Sequence, residues 1–528
     1  MGDIQILLAA LFVSAAGLNA IANRLDLPYP IPLVIGGLVL GLIPGIPNIR
    51  LNPDLVLLVF LPPLLYASAF FADLRSLRAD ARVIALNAIG MTLATAAAVG
   101  VIAHELMDLP WAISFALGAI VSPTDPAAAT AVMRRVGAPR RMINILEGES
   151  LVNDATALVS YKVAVAVAIG ESISAGHTVL TFFGDVAGGV AIGLAVGWVI
   201  AEVRRRVTDV NTELTISLFS AYGAFIPADQ LGFSGVLAVV ACGLYLGWRA
   251  PEIASPESRM QGFALWSILT FLLNATLFIL IGLQLPVIVD GLSGRPAGEV
   301  IGYAAAICGA VIAMRFIWMN SMAAVIRTLD RRPSQRARRA SWRMRVIGSW
   351  SGMRGAVSLA AALALPLETN AGNPLPGRDL IQFITFSLIL VTVVGQGLTL
   401  PWLIRRLGVT EDGTEEEHEE LRARLVIARA ALDRVDELEG ADWTRDGTIE
   451  RVRALYRYRQ RRFKVRAGKI EDEDGIEQGS LAYQRLMHEI YAAQRQALVQ
   501  LRNEHTISAD VMRRVERELD LEEQRLEV

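Results

Sequence analysis

The chain has 528 residues, of which 53% are hydrophobic and only 19% charged, with a formal net charge of −2. That balance, with a mean hydropathy of +0.43, excludes an ordinary soluble enzyme and a basic nucleic-acid-binding protein. The charge is unevenly placed: residues 1–408 carry 24 acids and 29 bases, residues 409–528 carry 28 acids and 21 bases, which predicts a membrane domain at 1–408 and an aqueous one at 409–528.

Apolar runs long enough for the roughly 17 to 25 helical residues that cross a bilayer occur at about 3–23, 30–48, 53–71, 82–104, 111–133, 142–169, 179–203, 212–228, 232–248, 263–289, 299–326, 346–366 and 379–404. The first lacks a basic n-region and an A-x-A-like cleavage site, so it is expected to remain as a span. With the N-terminus outside, the inner loops collect 23 arginines, against only Arg50, Arg295 and Arg378 in the outer ones. By the positive-inside rule that asymmetry fixes the orientation, and an odd number of spans leaves the tail in the cytoplasm. Cys242 and Cys308 both lie in apolar runs and form no disulfide framework.

Glycines repeat every four residues at Gly37, Gly41 and Gly45, and again at Gly189, Gly193 and Gly197. Both stripes predict close helix packing, within the chain or, for the second, between two subunits.

An ionisable side chain inside a span is costly, so each one is a functional candidate once snorkelling at the ends is set aside. Six qualify: Asp125, Glu149, Asp154, Lys162, Arg315 and Arg354. Asp125 lies in Ser122-Pro123-Thr124-Asp125-Pro126, where two prolines cannot both sit in one unbroken helix, so the helix is expected to open around it. Unwound backbone at membrane depth is tolerated where it is buried in protein or lines a wet cavity, and broken helices carry the ion sites of transporters.

The next run concentrates polar groups in Glu147-Gly148-Glu149-Ser150-Leu151-Val152-Asn153-Asp154. Ser150 with Asp154, and Glu149 with Asn153, are spaced four apart and form adjacent stripes on one helix face. Lys162, two turns beyond Asp154, reads equally as an interior partner or a snorkelling cation. Arg315 has no polar context and reads as packed or snorkelling. Ser349-Trp350-Ser351-Gly352-Met353-Arg354-Gly355 permits a second break and places a permanent cation at depth, which calls for an acidic partner.

From about Val409 the composition turns to Arg, Glu and Leu. Stripes at Leu425, Ala428, Leu432 and Val435, then at Leu486, Ile490, Ala493 and Ala497, predict a small helical domain, either a solvated tail or a regulatory one.

Four of these segments together resemble the sodium/proton exchanger family, in its NhaP-type branch of monovalent cation:proton antiporters: residues 122–126, residues 147–154, the run F-L-L-N-A-T-L-F-I-L-I-G-L-Q from Phe271 to Gln284, and Gly352-Met353-Arg354-Gly355-Ala356-Val357. The likeness covers roughly residues 1–408. It implies an all-α polytopic membrane fold of about 13 transmembrane helices in two inverted repeats, with two crossed broken helices, followed by a C-terminal helical cytoplasmic tail. It implies a homodimer in a bacterial inner membrane, exchanging a monovalent cation, sodium foremost, for protons, with membrane lipid as its surroundings and no cofactor or nucleic acid. Asp154 would hold cation and proton in turn, Asn153 would be its neutral neighbour, and Asp125 with Thr124 the crossing point. Asp154, Thr124 and Ser150 would supply oxygen ligands to the ion. Glu149 and Arg354 would form a structural ion pair. One departure is Ala67, which follows Pro62-Pro63 where many relatives carry an acid.

The chemistry is coherent by itself. Alkali cations take oxygen ligands, a desolvated carboxylate gains proton affinity, and proton and cation then compete for one group. Two other classes share some of these features. A passive cation channel could use the same carboxylates as a selectivity site. An intramembrane protease is suggested by Gly232-Phe233-Ser234-Gly235, but the serine lacks a histidine base nearby, since His104 and His177 fall at span edges.

Overall fold

The computed structural model describes residues 2–25, 27–43, 56–171, 175–292, 295–329, 339–410, 414–472, 475–504, 506–524 and 526. Among these residues helices dominate, and the only strand-like pairing is an isolated bridge between Glu368 and Pro374. The chain divides into two compact units, Met1–Glu411 and Asp412–Val528.

In the first unit helices overlie the apolar runs in order: α1 (Gly2–Arg24), α2 (Pro30–Gly41), α3 (Leu61–Phe70), α4 (Ala81–Met107), α5a (Trp111–Val121), α5b (Pro126–Val136), α6 (Arg140–Ala168), α7 (Ala175–Arg204), α8 (Val210–Gln230), α9 (Gly235–Ile253), α10 (Pro256–Leu283), α11 (Ala297–Leu329), α12a (Trp342–Trp350), α12b (Ala356–Leu363) and α13 (Arg378–Leu407). Among the described residues seven helices are long and apolar enough, by length and composition, to cross a membrane. The halves α5a and α12b are not, because at 1.5 Å per residue the 11 residues of α5a rise only about 16 Å. Each pair is one run interrupted midway, as the prolines around Asp125 and the glycines around Arg354 predict.

Small residues set how closely the helices approach. A Cβ on Gly37 would strike the Ile279 carbonyl, and one on Gly282 the backbone around Leu38, so α2 and α10 meet backbone to backbone. Gly189 and Gly193 lie in the same way against the carbonyls of Ser234 and Ala238, and Gly197 over Cys242. Both stripes are therefore spent inside the chain, and the second is not a free subunit face; Gly45 lies outside the described residues. Ser234 caps α9, its Oγ accepting from the Leu237 N–H at 3.3 Å, which gives the Gly-Phe-Ser-Gly motif a structural explanation.

Arg204, one of the arginines counted in the inner loops, is buried. It pairs with Glu213 at 2.8 Å, and Ser258 also donates to Glu213, so α7, α8 and α10 are tied at one end. An apolar cluster that includes Ile113, Leu117, Ile120, Leu365 and Leu388 fills the opposite half of the unit.

Among its described residues the second unit holds four helices, Thr414–Glu437, Asp446–Arg466, Ile476–Asn503 and Ala509–Gln524. On the first, Leu421, Ala428 and Val435 are buried at heptad spacing, close to the expected stripe. The third departs from expectation: Leu486, Ile490, Ala493 and Ala497 are exposed, whereas Tyr491 and Leu498 are buried. Its packed face is turned by one residue, about 100°, and on that side Arg495 pairs with Asp520 and His488 lies 2.8 Å from Glu523 on the last helix.

Candidate functional site

The two broken helices meet at their interruptions. Asp125 caps α5b, its Oδ1 accepting from the Ala127 N–H at 2.9 Å with Pro126 in the first turn. Its own N–H donates to the Met353 carbonyl in the gap of the other broken helix at 2.9 Å. Gly355 lies flush against the Asp125 carboxylate, with no room for a Cβ. Each gap thus satisfies backbone groups that the other exposes.

Arg354 completes the crossing. Its Nε donates to the Val121 carbonyl at 3.0 Å and its Nη2 to the Ser122 carbonyl at 3.4 Å, its Nη1 donates to the Gly352 carbonyl, and its backbone N–H donates to Thr392 Oγ1 at 3.1 Å. A buried cation therefore stands at the C-terminal end of α5a, where orphan carbonyls and the helix dipole favour it. Thr392 reaches it from a π-helical turn, Val391–Gln396, inside α13.

The expected Glu149–Arg354 pair is not formed; Glu149 pairs instead with Arg315. Arg315 Nη1 donates to Oε1 at 2.6 Å and Nη2 to Oε2 at 3.3 Å. Asn87 Nδ2, in the π-helical turn Leu86–Met91 of α4, lies 3.3 Å from Oε2, and Thr124 Oγ1 donates to Oε1 at 3.0 Å. Arg315 Nε also donates to the Gly348 carbonyl at 3.0 Å. Arg354 is committed to carbonyls, so it is Arg315 that neutralises Glu149 directly. This partner had a signal in the sequence: Arg315 sits mid-run in an apolar stretch, away from either end, where snorkelling does not reach. Asn87 and Thr392 carry no such signal, being neutral polar side chains that a span admits at far lower cost than a charge.

Asn153 Nδ2 donates to Thr124 Oγ1 at 2.9 Å. Thr124 therefore links Asn153 to Glu149 through one hydroxyl and retains one acceptor lone pair. The Asn153 Oδ1 is buried without a partner among the described residues.

Asp154 stands apart from this network. It is 7% exposed, and among the described residues its carboxylate makes no hydrogen bond or ion pair. It lines a cavity of about 680 Å³ together with Asp125, Thr124, Ser150 and Ala67. The cavity extends to Arg134 and Glu147, paired at 2.7 Å, and to Phe263 near the start of α10. It thus leads from the crossing toward the arginine-rich loops. Lys162 is exposed on the chain surface and is no interior partner of Asp154. No cluster of three or more His, Cys, Asp or Glu suited to a tightly held metal occurs among the described residues.

Residues 7–406 match the family profile described as sodium/hydrogen exchanger, transmembrane. The chain is 36% identical over 528 residues to an uncharacterised Na(+)/H(+) exchanger of Mycobacterium tuberculosis (strain ATCC 25618 / H37Rv), covering 99% of this chain and 96% of that one. It is 31% identical over 413 residues to the sodium, potassium, lithium and rubidium/H(+) antiporter of Bacillus subtilis (strain 168), covering 75% of this chain and 61% of that one. In fold it resembles the sodium proton antiporter of Methanocaldococcus jannaschii, with a TM-score of 0.60 and 20% identity over 76% of this chain and 98% of that structure.

Proposed function

The chain belongs to the sodium/hydrogen exchanger family, and we propose that it exchanges protons for a monovalent cation at Asp154, one for one, with sodium as the principal ion. The observation that carries this reading is the contrast on α6 between Glu149, whose carboxylate is fully paired, and Asp154, which faces a cavity with no protein partner. A paired carboxylate has nothing to exchange. An unpaired one at membrane depth must take up a proton or a cation to offset its desolvation, and the two exclude each other.

Oxygen atoms around Asp154 suit a dehydrated alkali cation. Ser150 and Thr124 share its cavity, and the buried Asn153 Oδ1 awaits a donor or a cation. Thr124 contributes one free lone pair, so it is a minor ligand. Ala67 leaves the opposite wall uncharged. The Bacillus subtilis relative is named for four alkali ions, and lithium and potassium are accordingly secondary candidates here.

The arginine-rich face is taken as cytoplasmic, in a bacterial inner membrane, with the protein as a homodimer. Water and ions then reach Asp154 from the cytoplasm, while the apolar cluster around Ile113, Leu117 and Leu388 closes the other half. One-sided access favours alternating exchange over a passive channel, which needs a continuous path.

The test is reconstitution in liposomes with a trapped pH indicator. An outward sodium gradient should drive proton entry in wild type, and Asp154→Asn protein of normal melting temperature should give none. Sodium flux without proton movement would establish the channel reading instead.

A further inference from the structure

A second cleft opens between α4, α6, α11 and α12a, separate from the cavity at Asp154, with a volume of about 170 Å³. Its floor is the Glu149–Arg315 pair with Asn87, its walls are apolar and include Met142, Met319 and Met322, and its mouth is lined by arginines. The acids in its lining are engaged: Asp80 pairs with Arg141 at 2.6 Å and Glu149 with Arg315 at 2.6 Å.

Three cations at the mouth have no such partner. Arg327 and Arg345 donate to the Ala340 carbonyl at 3.5 and 3.1 Å, Arg339 donates to the Arg327 carbonyl at 3.5 Å, and Arg345 also donates to Asn320 Oδ1 at 3.1 Å. Among the described residues none of the three meets a carboxylate. Three permanent cations gathered against neutral acceptors repel one another and leave guanidinium donors for an anion, which a phosphate matches in geometry. The methionine walls require an apolar group behind that anion. Next to the mouth, Trp342 is 57% exposed, as a lipid-facing side chain near an interface is.

We propose that this cleft binds one anionic phospholipid, its phosphate held by Arg327, Arg339 and Arg345 and the start of an acyl chain laid against the methionines. Free inorganic phosphate would satisfy the arginines and leave the walls empty, so the occupant is an amphiphile drawn from the leaflet on the arginine-rich side. The bound lipid neutralises the mouth and braces α11 against α12a, and both helices frame the Glu149–Arg315 pair behind the ion site. The proposal concerns binding and stands whether or not the chain exchanges ions.

The experiment is thermal melting of the purified full chain in neutral detergent, titrated with phosphatidylglycerol, phosphatidylcholine or inorganic phosphate, with native mass spectrometry counting retained lipids. Phosphatidylglycerol should raise the melting temperature saturably, by several degrees, with one lipid retained per chain, and the other two should not. The shift should be lost in Arg327→Gln/Arg339→Gln/Arg345→Gln. It should also be lost in Ala323→Phe, which fills the cleft and keeps the arginines. It should persist in Arg205→Gln/Arg206→Gln/Arg406→Gln, which removes equal charge elsewhere on that face. Each variant is read against its own lipid-free melting temperature, and if the first triple variant does not fold, Arg345→Gln with lipid counting replaces it. An equal loss in the control triple variant, an equal shift with inorganic phosphate, or a full shift in Ala323→Phe would overturn the proposal.

Discussion

Glu149 and Arg315, separated by 166 residues in sequence, lie 2.6 Å apart with both side chains all but fully buried. Asp154 follows Glu149 by five residues, which turns it about 140° around α6, so one helix shows a paired carboxylate to α4 and α11 and an unpaired one to the cavity. The pair is the anchor against which Thr124, Asn153 and the first broken helix are placed.

Removing either partner strands a buried charge. Glu149→Ala and Arg315→Ala should each lose about 3–5 kcal/mol of stability, and the double variant should lose less than the sum of the two. Melting in detergent, arranged as a double-mutant cycle, measures this coupling. A smaller coupling is expected between Glu149 and Arg354. Equal couplings would mean that both arginines share the glutamate.

Gly355 leaves no room for a side chain beside Asp125. Gly355→Ala should displace that carboxylate and the Asp125–Met353 backbone bond, costing about 1–3 kcal/mol as an overpacked site does and lowering exchange at least tenfold. Initial rates in proteoliposomes, corrected for inserted protein, give the answer. Near-normal exchange would mean that Asp125 can shift without harm to transport.

With Asp154 as the one titrating carboxylate, exchange should be electroneutral. A potassium-valinomycin potential imposed on proteoliposomes should leave the initial rate of sodium-driven proton movement unchanged. A net charge carried per cycle would add about 2.3 kcal/mol per 100 mV to the driving force. A several-fold voltage dependence would require Asp125 to release a proton as well.

The proposed site lies wholly within the first unit, and Val409 packs in that unit's core. Truncation after Glu411 should therefore preserve insertion and basal exchange, whereas truncation after Arg406 removes Val409 and should lower the melting temperature. Exchange assays of the two truncations, side by side, separate a tail that regulates from one that transport needs. Loss of exchange in a stable protein ending at Glu411 would place the tail in the transport machinery.

The sequence alone determined the solvent, the positions of the helices and the two interruptions. Apolar length is a local property, and a proline pair or a glycine-flanked arginine disturbs a helix whatever its neighbours do. The polar stripe on α6 was legible for the same reason, since helical spacing puts Ser150 and Asp154 on one side of any helix. Partner choice was not local. Two arginines, Arg315 and Arg354, were available to one glutamate, and only the packing of α11 against α6 and α4 brings the first within hydrogen-bonding distance, while the crossing turns the second onto the carbonyls of Val121 and Ser122. The glycine stripes likewise announced close contact without naming the surface contacted, and the third tail helix packs one residue away from its expected face. In each case the sequence specified a demand, a charge to neutralise or a face to cover, and the tertiary structure chose among several groups able to meet it, because that choice depends on distances between segments far apart in the chain.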